Sequence, residues 1–124
     1  MPTATPLPIA EIILNGVLFR PGENIRGTFW LYQPLKRPFQ AYVVVVLPDG
    51  SMRDARTLGT RLTPVASFMP ALGAPFSYRV LDVSIPYGAP RGVYELVAGF
   101  FEPWQPVHSR AEAFLDVSVR FEIR

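Results

Sequence analysis

Apolar and polar residues alternate along much of this chain, in short segments separated by prolines and glycines. The last segment shows the alternation most clearly, with apolar residues at Ala113, Leu115, Val117, Val119, Phe121 and Ile123. Successive side chains of a β-strand point to opposite faces, so this pattern predicts a strand with one buried face. Two further rows are expected to point into the same core: Tyr94, Leu96, Ala98 and Phe100, and Ile25, Gly27, Phe29 and Leu31.

Such segments recur often enough to predict about seven strands. Six of them have clear limits: Ala10–Leu14, Ile25–Tyr32, Gln40–Leu47, Phe76–Ile85, Val93–Phe101 and Ala111–Ile123. One or two short edge strands are expected between Ser51 and Phe68. Because the sequence contains 14 prolines and 9 glycines, a long helix has little room. The prediction is an all-β protein in which two antiparallel sheets enclose one core.

The first eight residues, MPTATPLP, have a different composition from the rest. Segments rich in proline and threonine favour extended conformations and often join domains. We therefore expect an extended linker-like segment over residues 1–8 and a single β-sandwich domain over residues 9–124. Two origins for the segment stay open, a cut from a longer protein and a native N-terminus.

Three turn-forming motifs follow one another along the chain. They are FRPGENIRG at Phe19–Gly27, LPDG at Leu47–Gly50 and IPYGAPRGVYEL at Ile85–Leu96. In this order they resemble bacterial immunoglobulin-like modules, above all the macroglobulin-type and fibronectin-III-like domains of secreted and cell-envelope proteins. The resemblance implies an immunoglobulin-like β-sandwich that is extracellular or on the cell surface, with the periplasm as an alternative.

Tyr94 follows the turn APRG at the start of a predicted strand. Sandwich domains often place a tyrosine corner there, in which the ring is buried and the hydroxyl binds the backbone a few residues upstream. We expect Tyr94 to form such a corner. The segment FEPWQPVHSR, at residues 101–110, is then expected to be the loop between the last two strands.

Composition excludes several classes of function. With 124 residues, 49% hydrophobic and 18% charged, the sequence fits one folded domain. The formal net charge is +2 and the basic residues are dispersed, which gives no electrostatic basis for nucleic-acid binding. Without cysteine there is no disulfide, thiolate nucleophile or cysteine-based metal centre. The longest apolar runs fall far short of the about 20 residues of a membrane-spanning helix, so no membrane insertion is expected.

Catalytic chemistry has few candidates. His108 precedes Ser109, but neighbours on an extended chain point apart, and no serine lies in a G-x-S-x-G motif. One histidine and ten dispersed acids form no known metal-binding motif. Paired carboxylates of a glycosidase would have to come from residues expected at outward or turn positions, namely Glu11, Glu23, Asp82, Glu95 and Asp116. We expect no catalytic residues, metal ligands or cofactor.

An apolar surface is the leading functional candidate. Both faces of the segment AYVVVV are apolar, so one row has to leave the core. The outward row would bring together Tyr42, Val44, Val46, Val97, Phe101 and Phe114. Large exposed apolar patches often mark interaction surfaces, although a loop such as residues 64–75 would hide this one by folding over it. The leading hypothesis is a structural or protein-interaction module whose partner is another protein or a second copy.

Two other surfaces are alternative functional candidates. Aromatic rings stack on sugars, so Trp30, Tyr32 and Trp104 form the alternative hypothesis of a carbohydrate-binding module. Three arginines, Arg53, Arg56 and Arg61, form a modest basic stretch. This stretch is expected to be a charged edge strand that prevents pairing with other molecules, rather than a site for an anionic polymer.

Overall fold

The structure is a computed structural model that describes residues 8–124, so the predicted linker lies outside the described residues except for Pro8. Two β-sheets pack face to face, which confirms the prediction of an all-β sandwich. The strands are β1 (Ala10–Leu14), β2 (Leu18–Phe19), β3 (Asn24–Leu31), β4 (Phe39–Val46), β5 (Met52–Asp54), β6 (Ala66–Met69), β7 (Phe76–Ser84), β8 (Gly92–Phe101) and β9 (Leu115–Ile123). None of the described residues forms a helix that is long and apolar enough to cross a membrane.

One sheet has three strands in the order β1-β3-β7, and the other has six. The order of the larger sheet is β2-β9-β8-β4-β5, with β6 also pairing with β4. The strand pairs are antiparallel as predicted except one, in which the two-residue strand β2 runs parallel to β9. The alternation pattern missed β2, since two residues are too few to show a period.

The last strand begins later than predicted. Residues Arg110–Glu112 form a 3₁₀ turn, and β9 starts only at Leu115. The Ser109 side chain accepts a hydrogen bond from the N–H of Ala111, and the Glu112 carboxylate accepts one from the N–H of Ser109. This reciprocal capping satisfies the amides of the turn and holds residues 109–112 away from the sheet.

The inner faces of both sheets are as predicted. All four residues of the β3 row and all four of the β8 row are buried, and Leu31 and Leu96 have no exposed surface. At Gly27 a Cβ atom would lie 2.9 Å from Leu96 Cδ2, so this position has no space for a side chain. The Phe29 and Phe100 rings meet across the sheets with centroids 5.4 Å apart. The core therefore follows from the alternation in the sequence.

The tyrosine corner is confirmed. The Tyr94 hydroxyl donates a hydrogen bond to the Pro90 carbonyl, four residues upstream. The Tyr94 ring is buried and stacks on Phe121, with centroids 5.2 Å apart and an interplanar angle of 13°. Burial raises the pKa of Tyr94, and the negative charge of Asp49 adds to this effect. The corner fixes the start of β8 against the core.

Candidate functional site

The predicted outward row lies on the outer face of the six-stranded sheet. Val43 and Val45 belong to the core, so Tyr42 and Val44 point the other way. Val44 lies opposite Val97 across the β4–β8 pair. The rings of Tyr42 and Phe101 meet at 5.8 Å, with an interplanar angle of 85°. The sheet therefore assembles one continuous apolar row from two neighbouring strands.

This row is largely covered. Val44, Val97 and Phe101 are 9%, 3% and 6% exposed, and Tyr42 and Val46 are half-buried. The prediction that Phe114 joins this row is wrong, because Phe114 lies just before β9 and packs against the core. The expectation of an open apolar patch is therefore wrong for its centre. The covering segment is the loop of residues 102–114 between β8 and β9, whereas the segment 64–75, expected as the alternative cover, lines the gap between the sheets. We call residues 102–114 the covering loop.

Polar contacts fix the first half of the covering loop to β4. The Gln40 side chain donates hydrogen bonds to the carbonyls of Glu102 and Gln105, at 2.9 and 2.8 Å. Arg37 forms an ion pair with Glu102 and also places its guanidinium carbon 3.9 Å from the centre of the Phe114 ring. This contact is a cation–π interaction, which connects the two ends of the loop.

Arg110 fixes the second half of the loop to two strands at once. Its Nη1 and Nη2 donate to the Glu95 carboxylate on β8, at 2.8 and 3.2 Å. Its Nε and Nη2 donate to the Asp116 carboxylate on β9, at 2.6 and 2.9 Å. The hydrogen bonds from Arg110 lower the pKa of Glu95, and the bonds to Asp116 and Glu95 raise that of Arg110. Sequence reasoning missed Arg110, although the S-x-x-E spacing at Ser109 and Glu112 is a signal for the turn that presents it.

Ser109 and Glu112 cap the 3₁₀ turn, and His108 contributes its backbone N–H to the same cap. The Ser109 hydroxyl accepts from the N–H of Ala111, and Glu112 Oε1 accepts from the N–H groups of His108 and Ser109, both at 2.7 Å. Two of the five carboxylates considered for a glycosidase, those of Glu95 and Asp116, are neighbours and share Arg110. Within residues 8–124 no three histidine or acidic side chains are grouped for a metal ion.

A cleft remains open between the covering loop and β5. It has a volume of about 220 Å³, and its floor is formed by Tyr42, Val44 and Val97. Residues 107–110 of the covering loop form one wall. The opposite wall contains Met52 and Leu62, which are 41% and 37% exposed. The outer face therefore offers an apolar recess with an apolar, solvent-accessible rim.

Exposed aromatic residues lie beside this cleft. Trp104 is 79% exposed, and its ring lies 5.2 Å from that of Phe68 on β6, at an angle of 31°. The Gln40 contacts on either side of Trp104 place the aromatic pair at the Tyr42 end of the outer face. We call the cleft and this aromatic pair together the outer contact face.

The proposed sugar-stacking residues are divided between the two sheets. Trp30 lies on the outer face of the three-stranded sheet, opposite Glu11 of β1. The Tyr32 hydroxyl donates to the Glu11 carboxylate, and this hydrogen bond raises the pKa of Tyr32. Trp104 lies in the covering loop, on the outer side of the six-stranded sheet, so the three rings do not form one platform.

Arg56 and Arg53, two arginines of the basic stretch, have different surroundings. The Arg56 guanidinium donates hydrogen bonds to the carbonyl and hydroxyl oxygens of Thr63, at 3.1 and 2.8 Å. The Asp54 carboxylate, only 1% exposed, accepts hydrogen bonds from the N–H groups of Arg56, Thr57 and Thr63. Burial alone would raise the pKa of Asp54, but these bonds outweigh burial and lower it. Arg53 of β5 lies opposite Val45 and therefore points towards the space between the sheets.

Comparison with known proteins shows no family: no family model matches the sequence, and no curated protein matches it. The sporulation control protein Spo0M of Bacillus subtilis is a structural neighbour, with 14% identity and a TM-score of 0.38 over 94% of this chain and 49% of that chain. A second neighbour is the alkylpurine DNA glycosylase AlkC of Pseudomonas fluorescens, solved bound to DNA containing an abasic site analog. It has 16% identity and a TM-score of 0.42 over 94% of this chain and 30% of that chain. The chain thus spans half or less of each neighbour. These likenesses carry no argument about function, and the resemblance to immunoglobulin-like modules stays a prediction.

Proposed function

We propose that the chain is a non-catalytic structural or protein-interaction module of a bacterial secreted or cell-surface protein, and that it associates through the outer contact face. One observation carries the proposal: an apolar cleft with an exposed apolar rim lies beside a largely exposed tryptophan on the same face. Tryptophan, tyrosine and arginine are enriched among the residues that dominate binding energy at protein interfaces. Trp104, Tyr42 and Arg110 all belong to this face.

Self-association is the form of binding that this geometry supports. A twofold dimer uses the same patch on both copies, so a projecting group and its recess have to lie on one face. Trp104 is the projecting group, and the cleft of about 220 Å³ is the recess. The cleft exceeds the volume of about 150 Å³ in which an apolar protein cavity binds benzene. Each Trp104 would enter the cleft of the other copy.

The test is light scattering over a concentration series, with charges placed on the cleft rim. Met52→Glu is the variant of choice because Met52 is exposed and the new carboxylate stays in water in the monomer. The matched control is Ile13→Glu, at a position 49% exposed in β1 of the other sheet. We expect the parent and Ile13→Glu to increase in mass with concentration and Met52→Glu to remain monomeric. A parent that is monomeric throughout, or an unchanged Met52→Glu, would contradict the proposal.

Carbohydrate binding is the second candidate, and the exposure of Trp104 beside Phe68 is the observation that favours it. Sugar stacking would need the aromatic pair but not the cleft rim. Retardation on a polysaccharide gel separates the two functions. Sugar binding predicts retardation that Trp104→Ala abolishes and Met52→Glu preserves, whereas a purely protein-binding module migrates without retardation.

A further inference from the structure

A second cavity, of about 210 Å³, lies between the two sheets and is separate from the outer contact face. Val45 borders it on the six-stranded sheet, and Leu81 and Val83 border it on β7. Leu58, which is 39% exposed, contributes a wall that is in contact with solvent. Among the described residues that line this cavity, Arg53 is the only charged one. The cavity is therefore an apolar space with one positive group at its edge.

The Nε of Arg53 is buried and has no hydrogen-bond partner within residues 8–124. The carboxylate of Asp49 is bound by Ser51, whose N–H donates at 2.9 Å and whose hydroxyl donates at 2.6 Å. These bonds lower the pKa of Asp49, and the positive charge of Arg53 adds to the effect without a hydrogen bond between the two side chains. Buried polar atoms almost always have a partner, so an unsatisfied one calls for an explanation. A ligand that supplies an acceptor would provide it.

The backbone beside the cavity is strained. Leu58 has φ = 59°, in the left-handed region that a leucine seldom adopts. A hydrogen bond of 2.7 Å from the Leu58 N–H to the Asp54 carbonyl maintains this conformation. Strained residues are concentrated at binding and catalytic sites, where the surrounding structure enforces them. The conformation keeps the Leu58 side chain in the cavity wall.

We propose that this cavity binds a small amphipathic carboxylate. The carboxylate pairs with the Arg53 guanidinium, whose planar donors match the two carboxylate oxygens, and the apolar part of the ligand lies against the lining. The volume limits that part to a single aromatic ring or a short alkyl chain, because an apolar cavity of about 150 Å³ takes one benzene molecule. Charge complementarity and size together define the class of ligand.

The test is a titration of the folded chain with octanoate, followed by changes in the amide signals of a ¹H–¹⁵N NMR spectrum. We expect saturation with a dissociation constant of about 1 mM or tighter, the range for a ligand of about ten non-hydrogen atoms. The shifted amides should include those of Val83 and Ala89. Octanamide, which has the same chain without the charge, should bind at least about tenfold more weakly.

Two variants and one control decide whether the cavity is the site. Arg53→Met keeps an apolar chain but removes the guanidinium, and it should weaken octanoate binding at least about tenfold. Arg61→Met removes an exposed arginine that does not line the cavity and should bind as the parent does. Ala89→Met retains Arg53 but occupies the cavity, so it should also weaken binding.

Three results would overturn the proposal. The first is that octanoate saturates no amide shift, the second is that octanamide binds as tightly as octanoate, and the third is that Ala89→Met binds like the parent. A folded Arg53→Met that binds octanoate as tightly as the parent would also overturn the proposal, because the guanidinium would then take no part in binding. If Arg53→Met does not fold, the octanamide and Ala89→Met results still decide the question.

Discussion

Arg110 and Arg53 both lie against the six-stranded sheet, but they differ completely in their partners. Arg110 crosses the outer face and makes four hydrogen bonds to two carboxylates. Arg53 points between the sheets, and its buried Nε has no hydrogen-bond partner within residues 8–124. Some charges of this chain therefore stabilise the fold and others do not. A satisfied charge fixes a loop, whereas an unsatisfied one is available to a ligand.

Asp54 belongs with Arg110 in this comparison, and removing it should have the largest effect on stability. Asp54→Ala leaves the N–H groups of Arg56, Thr57 and Thr63 without their acceptor. We expect the free energy of unfolding to fall by about 2–4 kcal/mol, measured by urea denaturation at pH 7. Asp54→Asn, which keeps one acceptor oxygen, should lose less. A loss below about 0.5 kcal/mol for Asp54→Ala would show that water replaces the carboxylate fully.

Arg110→Ala should have the second-largest effect. The guanidinium is 38% exposed, so solvent screening limits the expected loss to about 1–2 kcal/mol. Because the covering loop loses its contact with β8 and β9, hydrogen exchange should accelerate at the amides of residues 107–114. Arg110→Lys keeps the charge without the bidentate geometry, so its stability should lie between those of the parent and Arg110→Ala. Unchanged exchange in Arg110→Ala would mean that Gln40 and Phe114 hold the loop alone.

The pH dependence of the free energy of unfolding should show the contribution of the Arg110–Glu95 pair. The pKa of Glu95 is lowered from its ordinary value of 4.5 by its hydrogen bonds to Arg110, so their contribution is fully present above that pH. It is lost as the pH falls through the lowered pKa of the folded state. Urea denaturation should therefore show the parent and Arg110→Ala converging in stability below about pH 4.5. A difference that stays constant to pH 3 would contradict the assignment of the stabilisation to this pair.

Arg53→Met should change stability least. Replacing an unsatisfied buried polar group by an apolar side chain of similar shape is close to neutral, so we expect a shift within about 0.5 kcal/mol in either direction. Urea denaturation of this variant beside Arg110→Ala compares the two arginines directly. A loss as large as that of Arg110→Ala would mean that Arg53 has a structural role and would remove the basis of the comparison.

Alternation in the sequence was sufficient to predict the inner faces of the sandwich. The rows predicted in β3, β8 and β9 point into the core, and a period of two residues records this directly. In β8 the residues from Leu96 to Phe101 are buried on both sides, which the period of two does not show. Tyr94 was predictable for a related reason, because a tyrosine after a turn at the start of a strand has one usual role. Both the inner rows and the Tyr94 corner are predictable because each depends on residues that are close together in the chain.

The outer contact face was only partly predictable. The sequence showed that Tyr42 and Val44 leave the core, but an apolar row looks the same whether solvent or a loop covers it. The cover depends on Arg110 meeting Glu95, which lies 15 residues earlier in the chain. A contact between segments that are distant in sequence leaves no periodic signal. The exposure of Trp104 and the division of the aromatic residues between sheets were hidden for the same reason.

The central claim is that the chain associates through the outer contact face, and the two tryptophans allow it to be tested directly. The sequence contains only Trp30 and Trp104, so an NMR spectrum of the ¹⁵N-labelled chain gives two indole N–H signals. Trp104 lies on the outer contact face and Trp30 on the other sheet. As the concentration rises, we expect the Trp104 signal to shift or broaden and the Trp30 signal to stay constant. A shift of Trp30 alone, or no change in either signal, would contradict this claim.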